Sequence, residues 1–147
     1  TELVTDVPEE RADEAMIAVG KKDQWYHAAG LAAGFLVKLY EVSGTHDFLE
    51  TGQRYLNFCD NCGPDRYTSE KSGLFGWGAA LMYAATGNAN YRRIAVSVAD
   101  GLLAAQLANG SWLKASMGED LTSDVVDGTA EGIIAMVQIL EGLSSGE

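Results

Sequence analysis

Apolar residues recur along this chain at intervals of three and four, the spacing that lines one face of an α-helix, and strand-like alternation is nearly absent. Six segments carry the helical pattern, most of them separated by breaks rich in glycine or containing proline. The first spans about Pro8 to Val19, with Asp6 placed to cap it, Pro8 in the first turn, and Glu9 and Glu10 at the positive end of the helix dipole. The second runs from about Asp23 to Val42 and stops at Ser43-Gly44, where glycine can take the left-handed conformation that ends a helix. Thr45 caps the third, which continues to about Asn61 before Gly63-Pro64 blocks it. A polar loop, Gly63 to Ser72, leads to the fourth, about Gly73 to Ala85, which stops at Thr86-Gly87. The fifth begins with Asn88 as cap and runs to about Ala108, ended by Asn109-Gly110. After a second loop, Ser111 to Thr122, either Ser123 or Asp124 caps the sixth, which reaches about Leu143.

The stops repeat. Tyr40-x-x-Ser43-Gly44-x-x-x-Phe48 matches Tyr83-x-x-Thr86-Gly87-x-x-x-Tyr91 at an offset of 43 residues, and Ser144-Ser145-Gly146 ends the sixth segment in the same style. A two-helix unit repeating at that length predicts an array of helical hairpins. The expected fold is therefore all-α, three antiparallel hairpins in a single domain over residues 1–147. Alternate helices differ in composition. The second and fourth are dense in small residues (Ala28-Ala29-Gly30, Ala32-Ala33-Gly34; Gly76, Gly78-Ala79-Ala80), which suits a closely packed inner layer, whereas the more charged third and fifth suit an outer one.

Composition removes some function classes. Acidic residues outnumber basic ones 21 to 10, for a formal charge of -11, and the bases are scattered, so nucleic acid and anionic membranes are poor partners. The apolar runs are too short to span a bilayer. Nothing at the acidic start of the chain resembles an intact signal peptide. Cys59 and Cys62 form a C-x-x-C at a helix end, without a second ligand pair or a βαβ pattern, and read as packing cysteines. Two cysteines fit a reducing cytosol and equally permit one local disulfide, which leaves the compartment open. The chain holds no G-x-x-x-x-G-K-S/T, H-E-x-x-H or G-x-S-x-G, and its two histidines, His27 and His46, fall on different helices, so neither metal nor cofactor is expected.

Gln106-Leu107-Ala108-Asn109-Gly110-Ser111-Trp112 resembles the Q-W motif of squalene and diterpene cyclases and related α/α-toroid proteins, through Gln106, Gly110 and Trp112. In those families the glutamine caps backbone groups at the end of an outer helix and the tryptophan packs on it, so the implied role is structural. The stretch Asp124 to Glu131 loosely resembles the D-x-D-D-T-A segment of class II terpene cyclases. Thr129-Ala130 then places Asp127 on the catalytic aspartate, with Val125 and Gly128 standing where the motif has aspartates. Between about Trp25 and Gly142 the hairpin rhythm is also similar to that of six-hairpin glycosidases, sugar epimerases and polysaccharide lyases. Those rings hold about six inner helices, and three are expected here, which implies half a toroid, completed by a second copy or a missing segment.

If the second, fourth and sixth helices are the inner ones, their N-terminal ends share one rim, because each helix pair reverses direction. That rim gathers Trp25, Tyr26 and His27, then Phe75 and Trp77, then Asp124, Asp127 and Glu131. Aromatic rings beside carboxylates suit a sugar, which stacks on rings and is cleaved by paired carboxylates, or an isoprenoid, whose carbocations rings stabilise. Glu131 or Asp127 would serve as general acid and the other as base or nucleophile, with His27 as a proton carrier in an epimerase or lyase. Trp25, Tyr26, Phe75, Trp77 and Asp124 would line the substrate site. A purely structural account stands beside this one: carboxylates in a first turn are stabilised by the helix dipole, and aromatic residues at helical spacing commonly form core. The functional alternatives are an enzyme-derived domain acting on a carbohydrate or isoprenoid, and a non-catalytic helical-repeat module that binds a protein or peptide.

Overall fold

A computed structural model describes residues 17–112 and 121–146, with side chains of the last helix described from residue 125. Among the described residues it is all-helical: α1 (Tyr26–Ser43), α2 (His46–Asp60), α3 (Gly73–Thr86), α4 (Ala89–Ala105) and α5 (Leu121–Ser145), with a single 3-10 turn at Glu70–Ser72. These are the second to sixth expected segments. The first lies outside the described residues except for Ile17 to Val19, which are not helical.

Three boundaries differ from expectation, each for a local reason. α1 starts at Tyr26 rather than Asp23 because Asp23 is held left-handed (φ 57°), its N–H donating to Asp65 Oδ2 at 2.7 Å. α4 ends at Ala105, before Ala108, because Leu107 N–H turns to the Ser111 carbonyl (2.8 Å) and Gln106 Nε2 to the Gly110 carbonyl (2.8 Å). α5 begins at Leu121, so Ser123 and Asp124 fall inside its first turn rather than at its cap.

The repeated stop has a shared construction. Gly44 (φ 68°) and Gly87 (φ 65°) are left-handed, and their N–H groups donate to the carbonyls of Tyr40 (2.8 Å) and Tyr83 (2.7 Å). The preceding hydroxyls act alongside them: Ser43 and Thr86 donate to the Leu39 (2.7 Å) and Met82 (2.6 Å) carbonyls and accept from the N–H of Thr45 (3.1 Å) and Asn88 (3.2 Å). Each turn thereby satisfies backbone groups that a helix end leaves without partners, and it reverses the chain in two residues. The third stop keeps the hydroxyls, Ser144 and Ser145 donating to Leu140 and Glu141, but Gly146 is not left-handed.

Packing follows from the small residues. α3 lies between α1 and α5, while α2 packs on α1 and α3, and α4 on α3 and α5, giving a layer of three helices covered by a layer of two. The three are parallel, since Gly73, Gly76 and Ala80 of α3 meet, in rising order, Ala135, Ile139 and Gly142 of α5. Between α1 and α3 the backbones touch: a Cβ at Gly30 would land on the Leu74 carbonyl and Phe75 Cα, and one at Gly78 on the Gly30 carbonyl. Larger side chains fill the space between layers. Leu56, Phe75, Met82, Ile94 and Ile139 are fully buried there, and each such burial stabilises by roughly 1.5–3 kcal/mol.

The loop from Asn61 to Ser69 is fastened on both sides. Arg93 of α4 reaches Asp60 of α2 at 2.6 Å, Tyr67 donates to the same carboxylate, and the Tyr67 ring stacks on Phe75 with centroids 6.2 Å apart. Asp65 accepts from the Tyr26 hydroxyl at 2.8 Å. Burial alone would raise the Asp65 carboxyl, but the bonds from Asp23 N–H and Tyr26 outweigh it and hold its pKa below the usual value.

The α1–α3 contact yields a prediction with a definite sign. On helix propensity alone Gly30→Ala would gain about 1 kcal/mol, yet the added methyl meets backbone that can only retreat as a unit. A net loss of about 1–3 kcal/mol is expected in urea unfolding, and an unchanged or raised midpoint would contradict backbone contact at this crossing.

Candidate functional site

The N-terminal ends of α1 and α3 and the stretch of α5 from Gly128 to Gln138 open on one cleft of about 520 Å³. Its apolar lining includes Leu74, Leu102, Trp112 and Ala135, and Gly73, Gly128 and Gly132 border it without side chains. Polar groups stand around it: His27 on α1, Thr68, Glu70 and Lys71 from the loop, Glu131 and Gln138 on α5.

Trp112 is fixed from three directions. Its indole N–H donates to the Leu102 carbonyl at 2.7 Å, its backbone N–H to Thr129 Oγ1 at 3.1 Å, and its ring lies against Gly132, where a Cβ would approach it to 2.9 Å. Gln106 closes the preceding turn through Gly110, as noted above. The segment Gln106 to Trp112 thus ties the end of α4 to the first turns of α5, and the tryptophan packs on α5.

On the opposite side, Trp25 and His27 meet edge to face with centroids 5.0 Å apart. The Lys71 ammonium lies 5.5 Å from the Trp25 ring centroid and 2.8 Å from Asp23 Oδ1. Burial lowers the His27 pKa, the Lys71 charge lowers it further, and the Glu131 carboxylate pulls the other way, so the ring is neutral at pH 7 and can accept a proton. Buried polar atoms without a hydrogen-bond partner among the described residues include Ser72 Oγ and Gln138 Oε1, the latter on a residue lining the cleft.

The residues expected at the rim divide into groups. Trp25, His27 and Glu131 converge on the cleft. Tyr26 and Phe75 are fully buried in the core, Tyr26 bonded to Asp65 and Phe75 stacked on Tyr67, and neither lines it. Trp77 is half-buried against Gly34 of α1 and does not line the cleft. Asp127 is exposed and does not line the cleft, and the side chain of Asp124 lies outside the described residues. Lys71, Trp112 and Gln138 were not among the expected site residues. The four-residue spacing of Gly128 and Gly132 was the available signal for a recess on α5, since two glycines on one face leave it flat.

Cys59 and Cys62 are free and buried, and burial pushes both thiols up, which leaves them poor nucleophiles. No group of three potential metal ligands occurs, and no helix is long and apolar enough to cross a membrane, among the described residues. The chain matches no family model, no curated protein and no solved structure.

His27 carries a pH signature. Its folded pKa lies below the reference value of 6.5, so as pH falls through that value the unfolded chain binds a proton that the folded chain refuses. Stability contributed by neutral His27 is full above this window and is lost as pH falls through it. His27→Gln should flatten the decline in unfolding free energy between about pH 7 and pH 5; an identical decline in both proteins would contradict the desolvated setting.

Proposed function

We propose that this is an α/α-toroid-type domain, derived from or part of an enzyme, that takes a small molecule in the cleft and acts on it by proton transfer between His27 and Glu131. The observation that carries the reading is convergence: Trp25 and His27, Trp112, and Glu131 come from three successive hairpin units to one recess. The close-packed layer of α1, α3 and α5 and the tie from Gln106 to Trp112 support the toroid part of the reading.

Of the two ligand classes, a carbohydrate fits the polar groups better. A sugar ring presents an apolar face to Trp25 or Trp112, and its hydroxyls meet the polar side chains that line the recess, His27, Thr68 and Lys71 among them. Neutral His27 removes a proton from a carbon acidified by its substituents, and Glu131 serves as the acid or base for the departing or returning group. An isoprenoid would use the apolar lining and the aromatic rings but would offer nothing to those polar side chains. The geometry favours Glu131 over Asp127 for the chemistry, because only Glu131 lines the recess.

Two of the three tryptophans line the cleft, so intrinsic fluorescence reports occupancy. Titration with a β-linked glucose trisaccharide and, separately, with farnesol is expected to shift the emission for the sugar, with Trp25→Phe reducing the change. Against a panel of glycosides and uronides, Glu131→Gln is expected to lower turnover by about 10²–10⁴-fold with the fold intact, and Asp127→Asn to leave it near wild type. If neither probe binds, the cleft reading fails and the domain is better taken as a binding module for a protein or peptide. Loss with Asp127→Asn but not Glu131→Gln would move the chemistry out of the cleft.

A further inference from the structure

Both flanks of the α1–α3–α5 layer carry an apolar stripe. On α1, Leu31, Phe35 and Val42 are 50%, 60% and 89% exposed, and their spacing of four and seven puts them on one helix face. Lys38 is exposed on the same stripe, paired along the helix with Glu41 at 2.8 Å. On α5, Val126, Ile133, Val137 and Leu140 are 63%, 52%, 47% and 56% exposed. They share the face opposite to Ala135, Ile139 and Gly142, which meet α3.

The internal repeat shows what the α1 stripe is shaped to meet. Moved along by the 43-residue repeat, Leu31 and Phe35 fall on Leu74 and Gly78, the α3 positions at the backbone contact with Gly30 of α1. α1 therefore turns outward the face by which an inner helix rests on the helix before it. α5, at the other flank, turns outward an apolar face with no following helix among the described residues.

We infer that each flank is covered by a second copy of this chain, with α5 of one copy packed along α1 of the other, and that a two-fold axis generates this contact twice. Each flank supplies what the other lacks: the α1 stripe takes a preceding helix, and α5 is the last described helix of its layer. Charge agrees with the pairing, since Glu141, four residues after Val137, stands beside the α5 stripe and the described part of α5 has no basic residue, while the α1 stripe contains Lys38. Because the three inner helices are parallel, continuing the layer through the contact keeps all six N-terminal ends on one side, and the two clefts open toward a common rim. The inference holds whatever the clefts bind.

Light scattering of the 147-residue chain from micromolar to millimolar concentration is expected to give twice the 15.7 kDa chain mass. Phe35→Lys and Val137→Glu, each at an exposed position and each checked for native helicity by circular dichroism, should separately weaken the dimer at least tenfold. Mixed in equal amounts, the two variants should regain a dimer, because one contact is then wild type and the other sets the introduced lysine of one copy against the introduced glutamate of its partner. A monomer at every concentration overturns the proposal, as does a dimer that either variant leaves intact. Failure of the mixture to associate also overturns it, since an α5–α1 contact leaves the mixed pair one wild-type interface; a symmetric α1–α1 or α5–α5 contact would instead leave one variant alone dimeric.

Discussion

Backbone contact between α1 and α3 is the constraint from which the other helix positions follow. Gly30 and Gly78 remove the side chains that ordinarily keep helices about 8–10 Å apart, and the two main chains come together there. A small-residue contact buries little apolar area, so its stabilisation comes from dense packing rather than from area removed from water. With α1 and α3 pinned, the grooves on either side are set, and α2 and α4 lie over them with Leu56 and Ile94 as their buried anchors. Between α3 and α5 the small residues meet mainly side chains, Gly73 against Ala135 and Gly76 against Ile139, and Gly142 of α5 reaches the α3 backbone at Ala80 and Leu81.

Helix content, hairpin order and the inner-outer division were legible because each rests on short-range chemistry. A glycine that must be left-handed and a hydroxyl that must bridge two backbone groups leave their mark within a few residues, as at Ser43-Gly44 and Thr86-Gly87. The start of α1 was not legible, because Asp23 is bent by a carboxylate 42 residues away. The third stop shows the converse, in that Ser144-Ser145-Gly146 reproduces the letters of the motif without its left-handed glycine. There the hydroxyl bonds to the preceding turn, which need only the helix itself, are kept, and the left-handed reversal is not.

Part of the cleft's lining was legible for a related reason. Alternation of helix direction brings Trp25, His27 and Glu131 to one end of the layer once three parallel inner helices are expected. Periodicity could not tell which neighbouring aromatic residue faces inward: Tyr26 follows Trp25 directly and is buried, because a step of one residue turns a helix by about 100°. Lys71 and Trp112 come from segments outside the α-helices, where hydrophobic period carries no information about direction. Their placement depends on Asp23, Asp65, Leu102 and Thr129, partners that only the folded chain assembles.

Small residues have opposite effects at the two inner contacts, and the difference explains why the cleft lies where it does. Between α1 and α3 a glycine faces backbone, so the missing side chain becomes contact. Where α5 passes the start of α3, Gly128 and Gly132 line the cleft instead, Gly132 against the Trp112 ring, and part of the missing volume stays open. The walls of this opening are held by hydrogen bonds and rings anchored elsewhere: Lys71 by Asp23, and the adjoining loop by Tyr67 on Phe75 and by Arg93 and Asp60. Closing the recess would require those attachments to shift together with two close-packed helices. The cavity is therefore maintained by the same contacts that stabilise the fold, and its polar groups are arranged before any ligand arrives, which is the arrangement that lowers the ordering cost of binding.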